Sequence, residues 1–461
     1  MPARRLRWSV LLLWIASWAH ADEVDRVVQG IMQQYKMPGA ALAVMREGKI
    51  VRAQGYGLAN VELNVAVKPE TIFQSGSMGK QFTATAIMML VEEGKIGLED
   101  KITKYFPESP ASWNNITIRR LLTHTSGIKD YTEKDVNFRL DYSEADLLKL
   151  FQGLPLDFPP GDKWNYSNTG YVVLGILIHK ITGEFYGDFL QERIFRPLGM
   201  TTTRNISEAD IVPNRAAGYR LVKGQLKNQE YVSPSLNTTA DGSLYFTVLD
   251  LAKWDAALYT EKLIKQSSLE KMWTPVKLND GKTYNYGFGW SLGNINGHKL
   301  VEHGGAWQGF TTHISRYVDD KLTVVVLTNL DSAHSHAEDI AHDVAAVYLP
   351  AVKLPAPPKA IEDKEPAVTQ KFRALIDGLA QGTVDQSTLT LEAAKKFMPD
   401  DVKGYHDYFD DLGAVKSVEL IERKEDGGVR TYRYRVGFER DKHVLVLGLD
   451  HSDKITVFYF E

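Results

Sequence analysis

The residues of this chain that can do chemistry together fall into three short groups. The first is Ser77-Met78-Gly79-Lys80, inside the run Phe73-Gln74-Ser75-Gly76-Ser77-Met78-Gly79-Lys80-Gln81-Phe82. A serine hydroxyl is a weak nucleophile until a base takes its proton, and a neutral lysine amine can be that base. Residues three apart share one side of a helix, so the Lys80 amine can lie beside the Ser77 hydroxyl. A helix N-terminus also turns unpaired N–H groups toward an oxyanion formed there. Taken alone, the pair reads more simply as a capping serine with a solvated lysine. The other two groups are Tyr166-Ser167-Asn168 and His303-Gly304-Gly305.

Several elements must position these groups. Asp22 to Tyr35 has an apolar face built by Val24, Val27, Val28, Ile31 and Met32, the spacing of an amphipathic helix. Ala40 to Met45 and Ile50 to Gly57 read as strands around a turn at Arg46-Glu47-Gly48. A helix is expected from about Ser77 to Glu93, with Gly94 as its cap. Further helical patterns run from Ile118 to Leu122, Gly170 to Thr182, and Asp241-Gly242-Ser243 toward Leu258. From Tyr286 the pattern alternates, and strands are expected through Val301–Gly305, Phe310–Tyr317 and Leu322–Thr328. A helix from Ala337 to Tyr348 closes the unit. Strands, then helices, then strands predict an α+β fold: one antiparallel sheet whose first and last strands pair, with helices on it and a helical insertion. Residues 351–366 form a Pro-rich, charged linker. Residues 367–461 read as a separate small α+β domain, with helices over Val368–Gln381 and Glu392–Met398. Four strands follow, over Val415–Arg423, Val429–Phe438, His443–Leu449 and Lys454–Phe460.

The 461 residues suggest two or three domains. Hydrophobic residues make up 44% and charged residues 24%, enough for a sizeable core. With 54 basic against 58 acidic residues and a net charge of -4, no electrostatic case for nucleic acid arises. The absence of cysteine excludes disulfides, thiolate metal sites and cysteine catalysis. Arg4, Arg5 and Arg7, the apolar stretch Trp8 to Trp18, and Ala19-His20-Ala21 read as a secretory signal peptide over 1–21. The apolar run is too short to span a bilayer, which needs about 20 residues. The expectation is export to the periplasm or medium without stable membrane insertion.

Together with Leu121-Leu122-Thr123-His124-Thr125-Ser126-Gly127, the three groups resemble the penicillin-recognising serine hydrolases: class C β-lactamases, DD-carboxypeptidases, D-aminopeptidases and related esterases. The resemblance covers about residues 23–350. It implies a β-lactamase/transpeptidase-like domain over 22–350, an antiparallel sheet with helices on both faces. It makes Ser77 the acylated nucleophile, Lys80 its activating amine and Tyr166 a general base or proton shuttle. Asn168 would bind Lys80 and a substrate carbonyl, and His303 and Gly305 would flank the substrate. The N–H groups of Ser77 and Ala306 would form the oxyanion hole. No metal or organic cofactor is implied, and the substrate would be a small molecule or peptide. Gly304 departs from the pattern, because many relatives carry a hydroxyl there that can bind a substrate carboxylate. An amide- or ester-cleaving peptidase or esterase is therefore favoured. A β-lactamase is the alternative, and a non-catalytic peptidoglycan- or ligand-binding protein is the reading of another class.

The remaining candidates have simpler readings. His124 supports its Thr-Ser-Gly turn. His334, His336, His342 and Asp339 form a solvated helix start, since histidine spacings of two and six do not share a helical face. Trp307, Phe310, Tyr245 and Tyr286 belong either to the cleft or to the core. The C-terminal aromatic run Tyr432, Tyr434, Phe438, Phe458, Tyr459 and Phe460 reads as core. That domain resembles the NTF2-like or cystatin-like modules found on related hydrolases.

Overall fold

The computed structural model describes residues 23–461 apart from 134–135 and 332–334. The leader read over 1–21 and His334 thus lie outside the described residues. The chain divides into two compact units. One comprises residues up to Arg220 and Asn228–Leu354, the other Leu221–Lys227 and Pro355–Glu461.

The first unit begins with helix α1 (23–34). Strands β1 (Gly39–Arg46), β2 (Lys49–Asn60) and β3 (Val65–Ala66) follow, then helices α2 (Lys80–Glu92), α3 (Asn168–Thr182) and α4 (Val248–Ala257). Strands β4 (Ser291–Ile295), β5 (His298–Trp307), β6 (Phe310–Tyr317) and β7 (Leu322–Thr328) lead to helix α5 (Ala337–Tyr348). The seven strands form one sheet in the order β4-β5-β6-β7-β1-β2-β3. As expected, early and late strands pair: β1 runs antiparallel to β7, with Ala40 opposite Thr328 and Arg46 opposite Leu322. Strand β1 is buried at every position but its last, as a strand covered on both faces must be. The alternation of β6 shows the two covers. His313 and Ser315 point toward α5, where Glu302 accepts hydrogen bonds from both and from His342. Arg316, one residue on, reaches Asp255 of α4 at 2.7 Å on the opposite face.

Helix α2 is the centre of the unit, buried continuously from Lys80 to Leu90. A helix enclosed on all sides must be apolar or have its polar groups bonded. Thr83 Oγ1 donates to the Ala240 carbonyl at 2.7 Å, and Trp254 Nε1 donates to Gln81 Oε1 at 3.0 Å. Phe82 packs against Trp254 and Phe195.

Two boundaries differ from the sequence reading. Ser77 lies in a 3-10 turn, Gly76–Gly79, and the α-helix starts only at Lys80. Asp241-Gly242-Ser243 does not open a helix. Strand Leu244–Phe246 follows it and pairs with Phe73–Gln74, and α4 starts afterwards. That pairing draws residues 241–243 alongside the Ser77 turn.

The second unit holds helices α6 (Pro366–Ala380) and α7 (Pro399–Leu412) and strands β8 (Val415–Asp426), β9 (Val429–Phe438), β10 (Lys442–Leu449) and β11 (Ile455–Phe460). The strands form an antiparallel meander in chain order. Gly427 and Gly428 make the first hairpin with positive φ, as an Asp-Gly-Gly turn should. Phe372 stacks on Tyr434 with ring centres 4.1 Å apart. Tyr432, Phe438 and Phe458 join that core, whereas Tyr459 is exposed. Helix α7 has no counterpart in the sequence reading.

Candidate active site

In a 3-10 turn, residues three apart eclipse one another, and this sets Lys80 directly over Ser77. Lys80 Nζ lies 2.9 Å from Ser77 Oγ, 2.7 Å from Asn168 Oδ1 and 2.6 Å from the carbonyl oxygen of Asp241. The Lys80 side chain is fully buried. Burial lowers its pKa to about 8, against the charges of Asp241 and Asp130, which favour the ammonium. A neutral amine has two N–H donors and one lone pair. The two carbonyl-type oxygens take the donors, so the lone pair faces the Ser77 hydroxyl.

The turn is pinned by backbone contacts that leave no room for side chains. Gly76 has φ +51°, and a Cβ there would lie 2.5 Å from the nitrogen of Ala306. Ser75 donates from Oγ to the Gly242 carbonyl at 2.7 Å, and its own carbonyl accepts from Thr312 Oγ1 at 2.7 Å. A Cβ on Gly305 would lie 2.1 Å from that same Ser75 carbonyl. Gly305 therefore lets β5 close on the Ser77 turn. Gly304 is less constrained, since its Cβ would meet nothing nearer than His313 Nδ1 at 3.5 Å.

Ser167 caps α3, its Oγ accepting the N–H of Gly170 at 3.4 Å. Tyr166 consequently stands just outside the helix and Asn168 is its first residue. Asn168 Nδ2 donates to Asp130 Oδ2 at 2.9 Å, which orients the amide so that Oδ1 faces Lys80. One N–H of Asn168 remains for a ligand. The Tyr166 hydroxyl is buried beside Ser77 yet makes no well-aligned hydrogen bond. Lys80 Nζ lies 4.9 Å from the Tyr166 ring centre. Burial holds the phenol well above its usual pKa, with the Ser77 contact pulling weakly the other way. Tyr166 is thus a protonated phenol next to a deprotonatable amine.

Behind these residues runs a directed hydrogen-bond chain. The N–H of Ser167 donates to His124 Nδ1 at 3.1 Å, so the proton of His124 sits on Nε2. His124 Nε2 donates to the Tyr286 oxygen at 3.1 Å, and Tyr286 donates to His303 Nε2 at 2.8 Å. His303 then donates from Nδ1 to the Gly304 carbonyl at 2.5 Å. Burial lowers the pKa of His303 to about 3 and that of His124 well below its usual value. Both imidazoles are neutral, and His303 brings no positive charge to the site. His124 does more than support its turn, and Tyr286 belongs to the rear wall of the site.

Ser77 stands where two cavities meet. One, of about 380 Å³, is lined by Asn168, Asp241, Ala306 and Trp307. The other, of about 920 Å³, is lined by Trp164, Tyr166, Tyr284, His303 and Gly305. Ala306 lines both, as Ser77 does. Trp164 and Tyr284 stack at 4.0 Å to form an aromatic wall. Trp307 is a cleft residue, held by Nε1 donating to Asn237 Oδ1 at 2.7 Å, whereas Phe310 is buried against Phe73. Asp130 and Asp241 carried no local signal in the sequence. Asp241 approaches Lys80 from 161 residues along the chain. Its Oδ2 accepts from Tyr131 at 2.8 Å, while Oδ1 has no partner among the described residues. Of the histidines read as a solvated helix start, His336 bonds Asp339, but His342 is buried on Glu302.

Residues 24–348 match the family model described as Beta-lactamase. The chain is 33% identical over 327 residues to a penicillin-binding protein of Bacillus subtilis, covering 67% of this chain and 71% of that one. It is similar to the octameric penicillin-binding protein homologue from Pyrococcus abyssi, with 27% identity, a TM-score of 0.65, and coverage of 93% and 90%. A second solved neighbour is a D-amino acid amidase from Ochrobactrum anthropi complexed with L-phenylalanine amide. It shows 26% identity, a TM-score of 0.61, and coverage of 72% of this chain and 98% of that one.

Proposed function

The chain belongs to the beta-lactamase family, whose penicillin-binding and amidase members support a serine hydrolase, and on that premise we propose that it cleaves an amide or ester through an acyl-enzyme on Ser77. The observation that carries the reading is the buried Lys80 amine, 2.9 Å from Ser77 Oγ and lowered to a pKa of about 8.

Neutral Lys80 accepts the Ser77 proton as Oγ bonds to the substrate carbonyl carbon. The oxyanion is held by the N–H groups of Ser77 and Ala306. As the tetrahedral intermediate collapses, the leaving nitrogen or oxygen takes the phenolic proton of Tyr166. The Lys80 ammonium returns a proton to Tyr166, so the serine proton ends on the leaving group. In deacylation, water gives a proton to Lys80 and bonds to the acyl carbon, and Ser77 recovers its own proton as it leaves. The amine, with the lower pKa, is the base, and the phenol, with the higher, is the proton donor.

Peptidase or esterase chemistry fits better than β-lactam hydrolysis. Gly304 offers no hydroxyl and the neutral His303 no charge to a substrate carboxylate. The leader over 1–21 supports export to the periplasm or medium with cleavage after Ala21. No helix among the described residues is long and apolar enough to cross a membrane. Residues 22–350 would act as the hydrolase domain and 367–461 as an accessory module beyond the linker. The test is intact mass after incubation with a fluorophosphonate. An adduct on the wild type that is missing from Ser77→Ala is expected, and no adduct on folded wild-type protein would overturn the assignment.

A further inference from the structure

On the face of the sheet turned away from the Ser77 turn, two histidines and two carboxylates converge from three elements. Glu302 and His313 are diagonal neighbours on the antiparallel pair β5 and β6, since Glu302 lies opposite Ser315 and Gly304 opposite His313. Such neighbours project to one face within side-chain reach. Glu338 and His342 lie four apart on α5 and therefore on one side of that helix. His342 Nε2 and His313 Nε2 approach the same oxygen of Glu302, at 2.7 and 3.1 Å, and Ser315 Oγ approaches it at 3.1 Å. Candidate ligand atoms of Glu302, His313, Glu338 and His342 all lie within 4.8 Å of one another.

A half-buried glutamate with two histidine partners accounts for three of these residues, and Glu338 adds a second carboxylate beside His342. Its carboxylate makes no hydrogen bond among the described residues, although it stands beside the other three. Two imidazoles and two carboxylates form the N2O2 set that suits zinc. We propose that Glu302, His313, Glu338 and His342 form a zinc site that ties α5 to strands β5 and β6. Ligand atoms of tetrahedral zinc lie roughly 3.4 Å apart, given bonds of about 2.1 Å. To bind, the two imidazoles must open slightly from Glu302, now 2.7 and 3.1 Å away, and the exposed Glu338 must move inward. Each imidazole gives up Nε2 to the metal and keeps its proton on Nδ1. His313 and Glu338 also line the larger cavity that reaches Ser77.

The sequence pattern hides this set because its members come from three elements, and by spacing His342 groups with His334 and His336. The experiment uses the full mature chain, stripped with a chelator, dialysed against zinc chloride and analysed for retained metal. Wild type should retain one zinc per chain, bound through two nitrogen donors by X-ray absorption, with a raised unfolding temperature. His342→Ala should lose it, and Glu338→Gln should hold it more weakly. Glu338 is exposed, so that variant stays informative if His342→Ala fails to fold. No zinc on folded wild type, or wild-type retention in both variants, would overturn the proposal.

Discussion

Asn168 Oδ1 lies 2.7 Å from Lys80 Nζ, and Asp130 holds the other end of that amide at 2.9 Å. Asp130 therefore acts on the Lys80 amine twice, by orienting Asn168 and through its negative charge, which raises the Lys80 pKa. Asp130→Asn removes the charge while keeping an acceptor for the amide. The ammonium is then less favoured, so the Lys80 pKa should fall below about 8. The rate of fluorophosphonate labelling against pH should keep its shape and move to lower pH. A move to higher pH would contradict the electrostatic role.

Tyr166 is assigned as the donor of a proton to the leaving group. Its hydroxyl makes no well-aligned hydrogen bond, so Tyr166→Phe should leave the unfolding temperature close to wild type. Turnover of an amide should fall by roughly 10²–10⁴-fold, the usual worth of a positioned acid. An activated ester, whose leaving group departs without a proton, should lose far less. Equal losses on both substrates would remove Tyr166 from that role.

Tyr286 ties His124 to His303, accepting from one and donating to the other. Tyr286→Phe keeps the ring and leaves both imidazole nitrogens without a partner in a buried site. Each orphaned group costs about 1–3 kcal/mol. A clear drop in the thermal midpoint is expected, and an unchanged midpoint would mean that water or a shifted ring replaces the hydroxyl.

The sequence exposed those parts of the site that are local. Ser77 and Lys80 are three residues apart and Tyr166 and Asn168 two, so each pair is set by one turn of backbone. The sheet was legible because β7 carries a nearly continuous apolar run and the turn at Asp319-Asp320-Lys321 separates it from β6. Asp130, Asp241 and Tyr286 were not, because tertiary pairing alone brings them to Lys80 and His303. The 3-10 form of the Ser77 turn depends on Gly76 packing against Ala306, a contact 230 residues away that no helix-start rule contains. Helix α7 escaped because its buried stripe, Val402, Phe409 and Leu412, is narrow and lies among aspartates.

The most direct test is the rate of covalent labelling of Ser77 across pH, read by intact mass and located by peptide mapping. Below about pH 8, Lys80 is an ammonium and cannot accept the serine proton. Labelling should therefore rise about tenfold per pH unit and level off above that value, with the adduct on Ser77 alone and none in Ser77→Ala. A rate that is flat from pH 6 to 9, or an adduct that persists in Ser77→Ala, would contradict a Ser77 nucleophile activated by a neutral Lys80.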